Sequence, residues 1–205
     1  MSTSRARGAG GRPTQQQRSA QKQQAMREAA ARLLIDRGPD AVTHRQVAAA
    51  AGLPQGSASY YFPNREGLFL AAVEEAERIR VAGAHAYADA LRRRARTPAT
   101  TARLLVEALY APHLEPDVVT LRLAPMLEAT RTPGTAAVMS TSWPQLLAAL
   151  RTVLDASGYP EIADDDVVQL RLLADAALLY ATTAGSADAI KYAVERVARL
   201  LTQLA

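Results

Sequence analysis

The chain has 205 residues, of which 49% are hydrophobic, so it can bury a sizeable core in one large domain or in two smaller ones. It has no cysteine, which excludes disulfides, thiolate zinc sites and cysteine nucleophiles, and it has no uninterrupted apolar run long enough to span a membrane. Its net charge of +4 is uneven, because residues 1–66 contain ten basic and four acidic side chains whereas residues 67–205 contain fourteen and sixteen.

This charge distribution suggests that the N-terminal third meets a polyanion, although a solvated charged surface would give the same count. The start of the sequence lacks the apolar central run of a secretory signal peptide. Together with the absence of cysteine, this predicts a cytoplasmic protein.

Residues 1–18 are rich in glycine, glutamine, serine and arginine, with four arginines and no acidic residue. They have too few apolar side chains to order themselves, so we predict a flexible basic arm. Such an arm could contact phosphates or a minor groove, or it could only keep the protein soluble.

Residues 19–66 are predicted to form three helices. The first runs from residue 21 to a C-cap at Gly38, with apolar residues at helical spacing. Thr43 followed by Gln46 is a capping-box pattern, so a second helix begins there and ends at Gly52, where a positive φ angle is easily adopted.

A third, short helix is predicted from about Pro54 to Tyr61, because Pro63 forces the residue before it out of helical geometry. Asn64 then caps a longer helix. Two short helices joined by a tight glycine turn are typical of a helix-turn-helix, whose second helix lies in a DNA major groove.

Helical spacing turns Val47, Leu53 and Ala58 inward, against Leu33 and Leu34 of the first helix. The outward face of the third helix is left with small or hydrogen-bonding residues and no acid, as a helix needs if it is to enter a groove. Thr43 and the flanking arginines are placed to meet phosphates. The expected DNA contacts are Thr43, His44, Arg45, Gln55, Gly56, Ser57, Ser59, Tyr60, Tyr61 and Arg65. The alternative is an ordinary helical bundle with Tyr61 and Phe62 in its core.

The stretch THRQVAAAAGLPQGSASYYFPNREGLFLAAV resembles the DNA-binding segment of the TetR family of bacterial regulators, and the resemblance covers about residues 19–75. Ala58-Ser59 stands where members often have Leu-Tyr, so one usual phosphate-contacting tyrosine is absent. The shared pattern consists of Thr43, Val47-Ala48, Ala51-Gly52, Leu53, Gly56, Tyr60-Tyr61, Phe62, Arg65-Glu66 and Leu68.

Residues 67–205 contain helical patterns and no strand signal, so the expected fold is all-α: a three-helix head followed by a larger helical domain. The resemblance implies that this larger domain binds a small effector and forms a homodimer through its last two helices. Two apolar stripes could form that interface, although both could instead pack within one chain. They are Val168, Leu172, Ala176 and Leu179 in one helix, and Ala193, Val197, Leu200, Leu201 and Leu204 in the other.

For the effector pocket, Tyr110, His113, Met126 and Trp143 are the candidates, because apolar cavities with a few polar groups often form between helices. For each of them, ordinary core or surface is the simpler interpretation. The expected function is that of a ligand-responsive repressor, bound to a palindromic operator and released by a small molecule. A ligand-independent regulator or an activator with the same head is the alternative.

An enzyme is disfavoured, since the three histidines form no local metal-binding pair and the sequence has no glycine-rich phosphate loop. The run Asp164-Asp165-Asp166 could bind a cation, but it precedes an apolar helical run and fits an N-cap and first turn better. We therefore expect no catalytic residue, no metal and no cofactor.

Overall fold

The computed structural model describes residues 14–112, 115, 122–123, 126–127 and 133–204. This part of the chain is helical and contains no strand, which confirms the all-α expectation. A single 3-10 turn, Pro39–Ala41, accompanies the α-helices. In chain order these are α1 (Gln15–Arg37), α2 (His44–Ala50), α3 (Gln55–Tyr61), α4 (Arg65–Asp89), α5 (Pro98–Tyr110), α6 (Pro133–Ser157), α7 (Asp164–Thr183) and α8 (Ala189–Leu204).

Helix α1 begins six residues earlier than its apolar periodicity predicts. Thr14 and Gln17 form a complete capping box, in which Thr14 Oγ1 accepts from Gln17 N at 3.2 Å and Gln17 Oε1 accepts from Thr14 N at 2.7 Å. Residues 15–18, expected to belong to the arm, are therefore helical. The rest of the predicted arm, residues 1–13, lies outside the described residues.

The head packs around a core formed by α1, α2, α3 and the start of α4, to which Met139 of α6 also contributes. Val47 and Ala58 are fully buried there, on Leu33 and Leu34, as their spacing predicts, while Leu53 is partly buried. Burial of these apolar side chains fixes the two short helices on α1.

The turn between α2 and α3 has the geometry that its sequence indicates. Gly52 has a φ of 66°, and Thr43 Oγ1 accepts from Gln46 N at 3.3 Å. The capping box is only half formed, because the side-chain oxygen of Gln46 is buried without a partner instead of bonding back to Thr43 N. Thr43 nevertheless caps α2, and Asn64 caps α4 through Gly67 N at 2.8 Å.

A second core lies in the larger domain, where α4 to α8 pack around one another. Ala193, Val197 and Leu201 of α8 are buried in it, so these three positions of the α8 stripe pack within the chain, whereas Leu200 and Leu204 are only partly buried. Periodicity alone could not distinguish burial within one chain from burial against a partner, because both require the same apolar stripe. The α7 stripe is different: Leu172 is 54% exposed and Leu179 is 39% exposed.

The acidic run at the start of α7 does not supply the N-cap. The cap residue is Ala163, with no side-chain hydrogen bond, and Asp164, Asp165 and Asp166 occupy the first turn. There their charges favour the positive end of the helix dipole. Asp164 also forms an ion pair with Arg151, at 2.6 Å.

Candidate DNA interface and effector site

The exposed face of α3 carries most of the residues expected to read DNA. Tyr60 is 79% exposed, and Gln55, Gly56 and Ser59 are exposed beside it, while Ser57 is half-buried. A Cβ at Gly56 would meet nothing within 4 Å, so the fold itself does not require glycine there. Open space at this position is what close approach to another molecule needs.

The three consecutive aromatic residues at the end of α3 divide between surface and core. Phe62 is 4% exposed and belongs to the core of the head. Tyr61 is half-buried, and its hydroxyl lies 3.0 Å from the Ser19 hydroxyl, which ties α3 to α1. Tyr60 packs edge-on against Tyr61, with ring centroids 5.0 Å apart, and is itself exposed.

His44 has a structural contact that its sequence position does not reveal. Its Nε2 donates to the main-chain carbonyl of Phe62 at 2.7 Å, which joins the start of α2 to the end of α3. Arg45 and Arg65 are exposed nearby, and Arg65 lies 3.6 Å from Asp40 in a solvent-exposed pair. Such an exposed ion pair is weak, so Arg65 can give up its contact with Asp40 and bind a phosphate instead.

In the larger domain, charged side chains are buried between α4, α6 and α7. Arg80 Nη2 lies 2.8 Å from Glu77 Oε2, which also accepts a hydrogen bond from the Ser142 hydroxyl at 2.6 Å. Arg171 Nη2 lies 3.3 Å from Asp175 Oδ2. Arg80 and Arg171 are only 6% and 4% exposed. Arg122 is the third arginine at this place, and the three are called the arginine cluster below.

Two aromatic rings of the predicted pocket lie against the arginine cluster. The guanidinium of Arg171 is 4.6 Å from the ring centroid of Trp143, and that of Arg122 is 5.1 Å from the ring centroid of Tyr110. Both distances are in the range of cation–π attraction. The Tyr110 hydroxyl donates to Asp175 Oδ1 at 3.1 Å.

The environment of Arg122 and Arg171 disfavours their positive charge. Burial, and then the neighbouring charge of Arg80, lowers the pKa of Arg122. Burial likewise lowers the pKa of Arg171, although Asp175 opposes that change. Burial, and then the negative charge of Asp175, raises the pKa of Tyr110, so its hydroxyl stays protonated as a donor.

Two cavities reach this cluster. The first, the Trp143 cavity, has a volume of about 330 Å³ and is lined by Leu123, Met126, Trp143, Arg171 and Asp175, among others. The second, the Arg122 cavity, has only about 30 Å³ and lies between Arg80, Arg122 and Pro112 of the larger domain and Leu34 and Ile35 of α1. The cluster therefore joins an effector-sized cavity to the first helix of the head.

A broader groove of about 700 Å³ runs between α4 and α6. Glu74 and Glu77 are its acidic residues, and each already faces an arginine: Arg27 at 2.6 Å and Arg80 at 2.8 Å. Neither carboxylate is free to bind a cation without losing its partner.

The structure brings together three of the four predicted pocket residues, since Tyr110 and Trp143 flank the arginine cluster and Met126 lines the cavity beside Trp143. His113 lies outside the described residues. Sequence reasoning missed the arginines themselves. A signal was present, because each has an apolar residue on both sides, in Ile-Arg-Val and twice in Leu-Arg-Leu.

Comparison with known proteins identifies the family. The model for bacterial regulatory proteins of the tetR family matches residues 27–72, and the model for the tetracyclin repressor-like C-terminal domain matches residues 96–204, more than half of the chain. The chain belongs to the TetR family. Its fold is that of a TetR-family DNA-binding regulator, with an N-terminal helix-turn-helix and a larger helical C-terminal domain.

Solved structures of this fold include the multidrug binding protein EbrR in complex with proflavin. It is 26% identical, with a TM-score of 0.64, and the match covers 90% of this chain and 99% of that one. EbrR in complex with ethidium is 28% identical, with a TM-score of 0.60, covering 87% and 98%. A Saccharomonospora viridis protein in complex with choline shares the fold at 18% identity and a TM-score of 0.62, covering 90% and 95%.

No curated protein sequence matches the chain. Among the helices of the described residues, none has the length and apolar character to cross a bilayer. In the same part of the chain, no group of three or more histidine, cysteine and acidic side chains is placed to hold a metal ion.

Proposed function

We propose that this TetR-family protein is a cytoplasmic transcriptional repressor that binds a palindromic operator as a homodimer and leaves it when a small molecule binds. The observation that carries the DNA-binding part is the exposed face of α3. It presents Gln55, Gly56, Ser59 and Tyr60 without an acidic side chain, and Arg45 and Arg65 flank it. Glutamine can pair with adenine in the major groove, and the arginines meet phosphates.

The dimer would form around the exposed stripe of α7. Leu172 and Leu179 are large, apolar and exposed, and such groups are better buried against a partner. A two-fold dimer places two heads on successive major-groove turns, which a palindromic operator requires. Helix α8 would contribute Leu200 and Leu204, which are only partly buried, while its other stripe residues pack within the chain.

Effector binding would act on the spacing of the two heads. Leu172, Ala176 and Leu179 line the Trp143 cavity and also belong to the α7 stripe, so a bound molecule would touch the proposed dimer surface. The Arg122 cavity in turn lies between the arginine cluster and α1 of the head. A molecule that binds the DNA-free arrangement more tightly would shift the equilibrium toward it.

The likeness to EbrR, a multidrug binding protein in its complexes with proflavin and ethidium, supports a small-molecule effector. The alternative, a ligand-independent regulator or activator with the same head, would leave the 330 Å³ cavity without a role.

The direct test is a gel shift with DNA from upstream of the protein's own gene, at low salt. The proposal predicts a discrete complex that excess unlabelled specific DNA removes more readily than excess random DNA. Gln55→Ala should weaken it, whereas Gln169→Ala, on the exposed surface of α7, should not. Absence of a shift at low salt would contradict the proposal.

A further inference from the structure

The arginine cluster has more positive than negative charge. Among the described residues, Arg80 faces Glu77 and Arg171 faces Asp175, whereas Arg122 has no carboxylate within ion-pair distance. Arg122 makes one hydrogen bond, to the main-chain carbonyl of Leu109 at 3.2 Å, and lies over the Tyr110 ring. Three guanidinium groups thus share two carboxylates, with Arg80 and Arg171 buried and Arg122 half-buried.

The same arginines have unused donors. Nε of Arg80 and Nε of Arg171 are buried without a hydrogen-bond partner. Arg80 Nη2 is close to Glu77 but poorly aligned for a hydrogen bond. Buried polar groups normally have partners, and buried charges are normally paired. Unpartnered N–H groups beside a surplus positive charge are complementary to an anion.

The walls of the adjoining cavity are apolar. Leu123, Met126, Trp143 and Leu172 line the Trp143 cavity, and Arg171 stands at its edge beside Asp175. Its volume of about 330 Å³ is at the lower end for small-molecule sites. A molecule that fits would be compact and largely hydrocarbon, with one charged end directed toward Arg171, the member of the arginine cluster that lines this cavity.

Resting on the repressor function proposed above, we infer that the effector is a monoanionic carboxylic acid with an apolar body, bound by the arginine cluster. One negative charge balances the single positive charge by which the three arginines exceed the two carboxylates. A phosphate monoester would instead bring close to two negative charges. The planar carboxylate also matches the planar fork of a guanidinium, which favours paired hydrogen bonds.

This assignment differs from the charge of the molecules in the similar structures. Proflavin, ethidium and choline are cations at neutral pH, and they are bound by proteins that share this fold. In this chain, the acidic residues of the groove and of the cluster are already paired with arginines. We therefore expect this protein to prefer the opposite charge.

A titration of tryptophan fluorescence tests the inference, because the chain has a single tryptophan and Trp143 lines the cavity. The probes are 4-cyclohexylbutanoate, 4-cyclohexylbutanamide and 4-cyclohexylbutylammonium, which have the same body and differ in charge. The carboxylate should change Trp143 emission at a concentration at least tenfold lower than the other two. Equal responses, a preference for the ammonium compound, or no response to the carboxylate up to 10 mM would overturn the inference.

Two variants of Arg122 locate the effect. Arg122→Met removes the surplus charge and, among the described residues, leaves no carboxylate without its partner, so the thermal midpoint should not fall while the preference for the carboxylate disappears. Arg122→Lys retains the charge and should retain part of that preference. If Arg122→Met keeps the full preference, or lowers the thermal midpoint by more than 10 °C, the arginine is a structural group and the inference is wrong.

The gel shift without effector separates this inference from the repressor proposal. If the protein binds DNA but does not prefer the carboxylate, only the effector class is wrong. If it prefers the carboxylate but binds no DNA, the anion site stands and the repressor proposal falls.

Discussion

His44 donates a hydrogen bond from Nε2 to the main-chain carbonyl of Phe62, at 2.7 Å. The bond connects the first residue of α2 to the residue that follows α3. It therefore helps to hold α3, the helix expected to enter the DNA groove, at a defined angle to α2. Sequence reasoning placed His44 among the DNA contacts. The structure gives it a positioning role, and DNA contact by His44 remains a prediction.

We predict that His44→Ala lowers both the stability of the head and its affinity for DNA. The lost hydrogen bond should reduce the free energy of unfolding by about 1 kcal/mol, measured by urea titration. The matched control is Arg45→Ala at the next, exposed position. It should leave the free energy of unfolding within about 0.5 kcal/mol of the wild-type value. It should also lower the slope of log affinity against log salt concentration by about one, as expected for one lost phosphate contact. Identical effects of the two changes would contradict the positioning role.

Tyr60→Phe should weaken DNA binding and leave folding unchanged. Tyr60 is 79% exposed, so removal of its hydroxyl affects no packing. Loss of one hydrogen bond to DNA corresponds to about 0.5–1.5 kcal/mol, or roughly a threefold to tenfold lower affinity by fluorescence anisotropy. Tyr180→Phe, at an exposed tyrosine of α7, is the control and should bind normally. Unfolding of the head in Tyr60→Phe would show that the orientation assigned to α3 is wrong.

Phe62→Ala, in contrast, should destabilise the fold of the head. The ring is 4% exposed in the core of the head, so its truncation should cost about 3–5 kcal/mol of unfolding free energy, measured by urea denaturation. Phe69→Ala, at a half-buried ring on α4, should cost less. A loss below about 1 kcal/mol at Phe62 would mean that this aromatic does not anchor the end of α3.

The helix-turn-helix head could be predicted from the sequence because the signals that define its helices are local. Thr43, Gly52, Pro63 and Asn64 each act within a few residues, by capping or by restricting backbone angles, and the structure has them in those roles. One local signal was overlooked: Thr14 with Gln17 is also a capping box, and it starts α1 earlier than apolar periodicity indicates.

The arginine cluster could not be predicted in the same way. Arg80 and Arg171 lie on α4 and α7, and Arg122 follows α5, so only the packing of the larger domain brings them together. Helical periodicity also could not show that Val197 of α8 is covered by its own chain, while Leu172 of α7 is left exposed. Local patterns indicate which face is apolar, and long-range packing decides what covers it.

Leu172→Glu should convert a dimer into a monomer. The side chain is 54% exposed on the α7 stripe, and a carboxylate at its place would be buried unpaired against the partner. Light scattering after size exclusion should give about half the wild-type mass, with unchanged helicity by circular dichroism. Gln145→Glu introduces the same group at an exposed position of α6, in the groove between α4 and α6, and should stay dimeric. A Leu172→Glu protein of wild-type mass would exclude this surface as the interface.

Selection of bound sequences from random DNA is the strictest single test of the proposed repressor, because it examines the head, the dimer and the DNA-contacting residues together. A two-fold dimer should enrich an inverted repeat whose half-sites are centred about one helical turn apart, roughly 10 base pairs, or a multiple of it. The repressor proposal also predicts that Gln55→Ala relaxes the preference at one position in each half-site. Enrichment of no sequence, or of a sequence without two-fold symmetry, would contradict it.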